Sequence, residues 1–217
     1  MIVRKLRIRV VSPFYYYTYG GIFADTGPFL GDIALMYALG YALGYLGFPS
    51  RDRRLEDLRN LPFVVSVGRP ELLKMKGVIA VSSSFENSLA LYKEIFFRRG
   101  GSILYKNVRR IRPVDVGSEY VSYYFSRDLE LPDRRFGVRF GVQRDGVLDI
   151  RVEEPSDDDE VWMNAFTLRA KGIELAGLKG KIRQFDVYNA FYTILKGLRL
   201  RDVKDVMEGV FDRDRAG

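Results

Sequence analysis

From Ile2 to Val11 apolar and polar residues alternate, with Leu6, Ile8 and Val10 on one side and Lys5, Arg7 and Arg9 on the other. A period of two with one apolar side predicts a half-buried strand. The pattern then changes. From Ile33 to Phe48 there is no charged residue at all, which predicts a helix apolar around its whole circumference and therefore buried on most sides. We place this helix from Asp32 to Leu46, closed by Gly47 and Pro49. Gly40 and Gly44, four positions apart, would let another backbone approach closely, at about 1 kcal/mol of helix propensity each. The apolar run is shorter than the ~20 residues a membrane span requires, so no membrane segment is expected.

Beyond it, Arg51 to Asn60 predicts a short charged helix, and Pro62 to Val67 a strand ended by Gly68-Arg69-Pro70. Val78 to Val81 is a short apolar run. Ser84 to Phe97 has helical periodicity, with Ser84 as N-cap and Gly100-Gly101 as stop. Strands are predicted at Ser102 to Tyr105, Glu119 to Ser126 and Arg135 to Gln143. Asp145-Gly146 is a hairpin turn into Val147 to Val152, and Val161 to Leu168 continues as strand. Val187 to Leu200 mixes helix and strand signals, and Val203 to Phe211 forms an amphipathic tail. Strands interleaved with helices and hairpins, without an internal repeat or a linker, predict one α+β domain over residues 1–217.

Composition narrows the chemistry. The chain has no cysteine and no histidine. Disulfides and thiolate metal sites are thereby excluded, which suits a reducing cytosol, and a cytoplasmic location is expected. The usual general base and the usual zinc ligand are missing together, so no metal site, no cofactor and no catalytic residue is expected. Residues Met1 to Val11 are basic but alternating, which does not make a signal peptide. The net charge is +7, and six acids lie in Glu153 to Glu160 (EEPSDDDE), so the remainder carries +13. An anionic partner is implied.

Two segments carry candidate contacts with such a partner. Arg98, Arg99, Lys106, Arg109, Arg110 and Arg112 form a basic run without an acid, with Tyr105 and the pair Gly100-Gly101 among them. Guanidinium groups fork onto phosphates, glycine amides admit a close backbone, and an aromatic ring stacks a base. Taken alone, the run reads as readily as a solvated basic loop. The second segment is the turn of Tyr15, Tyr16, Tyr17 and Tyr19 followed by Gly20-Gly21. Alternation sends neighbouring tyrosines to opposite sides, so at least one of the three consecutive rings is expected in the core and another is free to meet a ligand. The acidic segment 153–160 is expected to be a solvated loop, since consecutive loop carboxylates rarely converge on a cation.

The stretch from Val11 to Leu46 also resembles the N-terminal signature of the type I-D CRISPR Cascade subunit of the Cas-five family (Csc-one type). There a strand runs through an aromatic turn to a Thr-Glu-Pro step and an aromatic-rich apolar helix. Here Thr26-Gly27-Pro28 stands for the step and Gly31 to Gly40 for the helix, with Gly27 in place of the acid and Ile33 in place of an aromatic. A weaker likeness lies between Asn107 and Ser126. The resemblance implies a modified ferredoxin-like, RNA-recognition-type (RAMP) domain with inserted β-hairpins. It implies a non-catalytic RNA-binding subunit that holds the 5′ handle of the crRNA, caps the backbone filament and contacts the large subunit near the protospacer-adjacent motif, where target DNA is a further partner. Tyr16, Tyr17, Tyr19, Gly20, Gly21, Arg98, Arg99, Tyr105, Lys106, Arg109, Arg110 and Arg112 are the expected RNA-binding residues. The alternatives are a metal-independent endoribonuclease acting on precursor crRNA and a basic adaptor that docks proteins. One branch of the family cleaves RNA at a site that includes histidine, a residue type this chain lacks.

Overall fold

The computed structural model describes residues 1–15, 23–46, 54–82, 108–141 and 146–213. The expected helix at 84–97 and strand at 102–105 lie outside these residues.

The fold is mixed α/β, built on an antiparallel sheet. Strand β1 (Ile2–Ser12) lies at its centre, between β7 (Glu119–Ser126) and β9 (Gly146–Glu153). Outside these are β3 (Phe63–Val65) and β4 (Arg69–Leu72), both on β7, and β8 (Arg135–Phe140) on β9. Alternation in β1 does what its sequence requires. Leu6, Ile8 and Val10 are buried, and Arg7 and Arg9 are exposed.

The buried side of the sheet packs on helix α1 (Asp32–Ala42), with Leu35, Met36 and Leu39 fully enclosed. The apolar helix is thus a core helix, and among the described residues no helix is long and apolar enough to cross a membrane. It ends earlier than its composition suggested. Gly44 lies beyond the last turn at φ +78° with open space around it, so it reverses the chain and packs against nothing. Gly40 alone is the close-approach site: a Cβ there would sit 2.7 Å from Leu46 Cδ1 and 3.0 Å from Leu61 Cδ2.

The other side of the sheet is half covered. Strands β10 (Glu160–Asn164), β12 (Tyr192–Arg199) and β11 (Gln184–Asn189) form a second sheet in that order. With helices α3 (Ala165–Ala170) and α4 (Leu200–Arg213), they close a second core over Val3, Val121, Tyr123 and Phe125. Strand β7 is therefore buried on both sides, which explains its nearly continuous apolar sequence EYVSYYFS.

Three expectations are corrected. The strand expected through Leu168 stops at Asn164, whose Oδ1 accepts from the Phe166 amide at 3.1 Å and caps α3. Gly68-Arg69-Pro70 does not end pairing. Gly68 bridges to Leu30 and the chain rejoins β7 as β4, an edge position that tolerates Pro70. The mixed signal at 187–200 is a hairpin, turned by Asn189, whose Oδ1 accepts from the amides of Phe191 and Tyr192 at 2.7 and 3.0 Å.

The acidic segment runs through an exposed turn at 154–159, and its carboxylates are paired. Glu153 pairs with Arg7, Glu154 with Arg4, Asp157 with Lys204, Asp158 with Arg201 and Asp159 with Lys5. Its carboxylates meet cations of β1 and of the start of α4 at the surface.

Candidate nucleic-acid interface

A third sheet carries part of the basic run. Strand β6 (Val108–Arg112) lies between β2 (Phe23–Asp25), which it joins in parallel, and β5 (Ile79–Ser82), which it joins antiparallel. The basic run is therefore a loop only in part. Strand alternation puts positions 110 and 112 on one side of this sheet and 109 and 111 on the other. Ile111 is buried and Arg112 is exposed.

The register joins the two segments that the sequence had left separate. Phe23 pairs with Arg110 and Asp25 with Arg112. At the other end of the tyrosine turn, the Phe14 amide donates to the Val114 carbonyl at 3.2 Å, and the Val114 amide returns a bond to Phe14 at 2.9 Å. The chain leaves β1 and re-enters at β2 pinned on both sides to residues 110–114. Phe14 itself is core, edge-on to Phe140 at 4.8 Å between ring centroids. Tyr15 is half-buried. Tyr16, Tyr17, Tyr19, Gly20, Gly21, Arg98, Arg99, Tyr105 and Lys106 lie outside the described residues.

The Thr26-Gly27-Pro28 step is held from the opposite direction. Phe29 packs on Tyr188 and Tyr192, with centroids at 4.8 and 5.4 Å, and its ring comes so close that a Cβ at Gly27 would meet it at 2.6 Å. A side chain larger than glycine at position 27 would require this ring to move.

A second basic surface escaped the sequence reading. On the uncovered half of the central sheet, register aligns Arg7 with Arg151, and Arg151 with Arg135, in one row across three strands. Arg9 and Arg139 flank the row. Arg135 holds Asp149 with two bonds of 2.9 and 3.0 Å, and Arg7 holds Glu153 at 2.9 Å and Glu71 at 3.0 Å. Hydrogen bonding from Arg135, with the charges of Arg135, Arg151 and Arg9 nearby, holds the Asp149 carboxyl below the usual carboxylate range. Arg9, Arg139 and Arg151 are exposed and make no ion pair with any described residue. Their signal was present as basic residues at alternate positions in β1, Lys5, Arg7 and Arg9, and as Arg135 and Arg139, four positions apart in β8. Only strand pairing sums them into one surface.

Arg112 on β6 and Arg9, Arg139 and Arg151 on the central sheet are exposed guanidinium groups, suited to phosphate oxygens.

The family model described as "Type I-D CRISPR-associated protein Cas5/Csc1" matches residues 1–190. No curated protein matches the chain. Among solved structures, the chain is similar to one in the cryo-EM structure of the Type III-B Cmr-beta bound to cognate target RNA and AMPPnP, state 1. The two are 14% identical with a TM-score of 0.43, over 94% of this chain and 88% of that one.

Proposed function

The chain belongs to the type I-D CRISPR-associated Cas5/Csc1 family, and from that premise we propose that it is a non-catalytic, crRNA-binding subunit of a type I-D Cascade complex. On this reading the tyrosine-glycine turn and β6 together hold the 5′ handle, and the protein caps the backbone filament beside the large subunit, near the protospacer-adjacent motif of target DNA. The central sheet, with α1 on one side, serves as the ferredoxin-like, RNA-recognition-type platform.

One observation carries the RNA contact: the pairing of Phe14 with Val114 and of Phe23 with Arg110. It anchors the two residues that flank the tyrosine-glycine segment, Phe14 and Phe23, beside Val114 and Arg110, about ninety positions away in the chain. Stacking groups beside phosphate-binding groups are what a single-stranded RNA needs.

Capture of the tagged protein from native cells, with sequencing of bound RNA and identification of bound proteins, tests the proposal. Recovery of crRNA with the backbone and large subunits is the expected result. Recovery of proteins without RNA would favour a docking adaptor instead.

A further inference from the structure

The first residues of β1 pair with the last of β7, Ile2 opposite Ser126, while Phe14 and Val114 meet at the other end of β1. At roughly 3.3 Å per strand residue, the eleven residues of β1 separate these ends by about 35 Å. At the Ser126 end, α2 (Arg54–Asn60), the loop after β7 and the end of α3 surround a groove of 620 Å³. Its walls carry Arg59, Arg127, Arg169 and Lys171 against one acid, Asp128, with the buried Val64 and Ile173 behind them.

Two helix C-termini converge here, and their carbonyls would repel an anion if left bare. They are not bare. Lys171 Nζ donates to the carbonyls of Arg59 (3.2 Å) and Leu61, covering the end of α2. Arg59 Nε donates to the Ala170 carbonyl at 3.3 Å. The amides of Lys171, Gly172 and Ile173 satisfy the carbonyls of Thr167, Arg169 and Leu168. Capping therefore accounts for two of the four cations. Arg127 and Arg169 remain, lining the groove without a carboxylate partner among the described residues, and Asp128 pairs with neither.

We propose that this groove is a second nucleic-acid site, which takes the phosphate backbone of a single strand through Arg127 and Arg169, independently of β6. Guanidinium groups along the walls of an open groove suit a single strand that turns its phosphates toward them. An acidic protein segment offers the same charge at irregular spacing, whereas a nucleic-acid strand brings one phosphate per nucleotide past both arginines.

The test uses the full chain with a fluorescent 12-nucleotide oligouridine RNA and the matching oligothymidine DNA, titrated at several salt concentrations. R127S/R169S is expected to weaken binding at least about fivefold and to lower the salt slope by about 1.4, since each lost phosphate contact removes roughly 0.7 for single strands. The milder R169Q is expected to remove about half of that slope change, and guards against a folding defect in the double variant. Loss with one probe alone would identify RNA or DNA as the strand. Unchanged affinity and slope would overturn the proposal, as would loss of polyglutamate binding with both nucleic-acid probes unaffected. R109A/R110A is measured in parallel. If it alone weakens binding, the groove is not a site; if R127S/R169S alone does so, the groove stands and the reading of β6 falls.

Discussion

Asn164 donates from Nδ2 to Oδ1 of Asp32 at 3.0 Å, joining the cap of α3 to the first residue of α1 across 132 positions. Thr167 Oγ1 donates to the other carboxylate oxygen. Asp32 is fully buried, and among the described residues no cation lies beside it. Burial is the larger effect, and it raises the Asp32 pKa to about 6 in spite of these hydrogen bonds.

Stability should therefore depend on pH through Asp32. The folded state holds a proton that the unfolded state releases near 3.8, so this stabilisation is complete below about 4 and is lost as pH rises through about 6. Between pH 5 and pH 7.5 the loss is roughly 1 kcal/mol. Asp149 and Asp186 act in the opposite direction. Hydrogen bonds from Arg135 and Lys196 hold them low, and their contribution disappears on acidification below the usual carboxylate range. Urea unfolding should accordingly show a maximum between about pH 4 and 6. Asp32→Asn should flatten the limb above pH 5, and a variant that retains the full slope would mean another group titrates there.

Gly40→Ala and Gly44→Ala should separate two kinds of cost. At position 40 the new methyl meets Leu46 and Leu61, and overpacking should cost about 1–3 kcal/mol. At position 44 nothing is in reach, and the left-handed φ alone should cost about 1 kcal/mol. Leu39→Asp, which places a charge in the core, should abolish the folded state, because several kcal/mol is a large share of a domain's ~5–15. Thermal melts of the three variants give the ordering, and a folded Leu39→Asp would contradict the buried helix.

RNA binding should weaken steeply with salt, because each neutralised phosphate releases counterion. Replacing Arg109 and Arg110 with alanine should cost at least about 1 kcal/mol in total, given ~1.5–3 for a charge-assisted hydrogen bond. If the uncovered sheet face also meets RNA, reversing Arg9, Arg139 and Arg151 to glutamate should reduce affinity further at low salt. Fluorescence titration of a handle-length RNA measures both. Salt-independent binding would place the contact elsewhere.

Purified protein, with or without magnesium, should leave precursor crRNA intact, since no histidine is present to act as a base near neutral pH. Specific cleavage that vanishes on substitution of a tyrosine or lysine would make the protein a nuclease.

Replacing Asp157 and Asp158 with asparagine should change stability by no more than about 1 kcal/mol, because their partners Lys204 and Arg201 are surface groups. A larger loss in chemical denaturation would mean that the acidic segment is a structural clamp rather than a set of solvent-screened pairs.

Where local periodicity and burial agree, the amino-acid sequence by itself determined the structure. β1 follows from alternation between Leu6 and Val10, α1 from the uncharged run after Asp32, and β7 from EYVSYYFS, because each pattern permits one way of hiding its apolar groups. The net charge of +7 favours an anionic partner without reference to the fold. What only the tertiary structure decided are relations between residues that no local pattern couples. Asp32 reads as an ordinary helix start until Asn164 and Thr167 enclose it. Arg7, Arg151 and Arg135 read as solvent-side residues of three strands until register lines them up. Glu153 to Glu160 reads as a free acidic loop until β1 and α4 bring their cations to it. Gly40 and Gly44 share a spacing, yet one lies against Leu46 and the other turns the chain in open space. Spacing along a chain specifies which faces are alike, whereas long-range pairing and enclosure specify what each face meets.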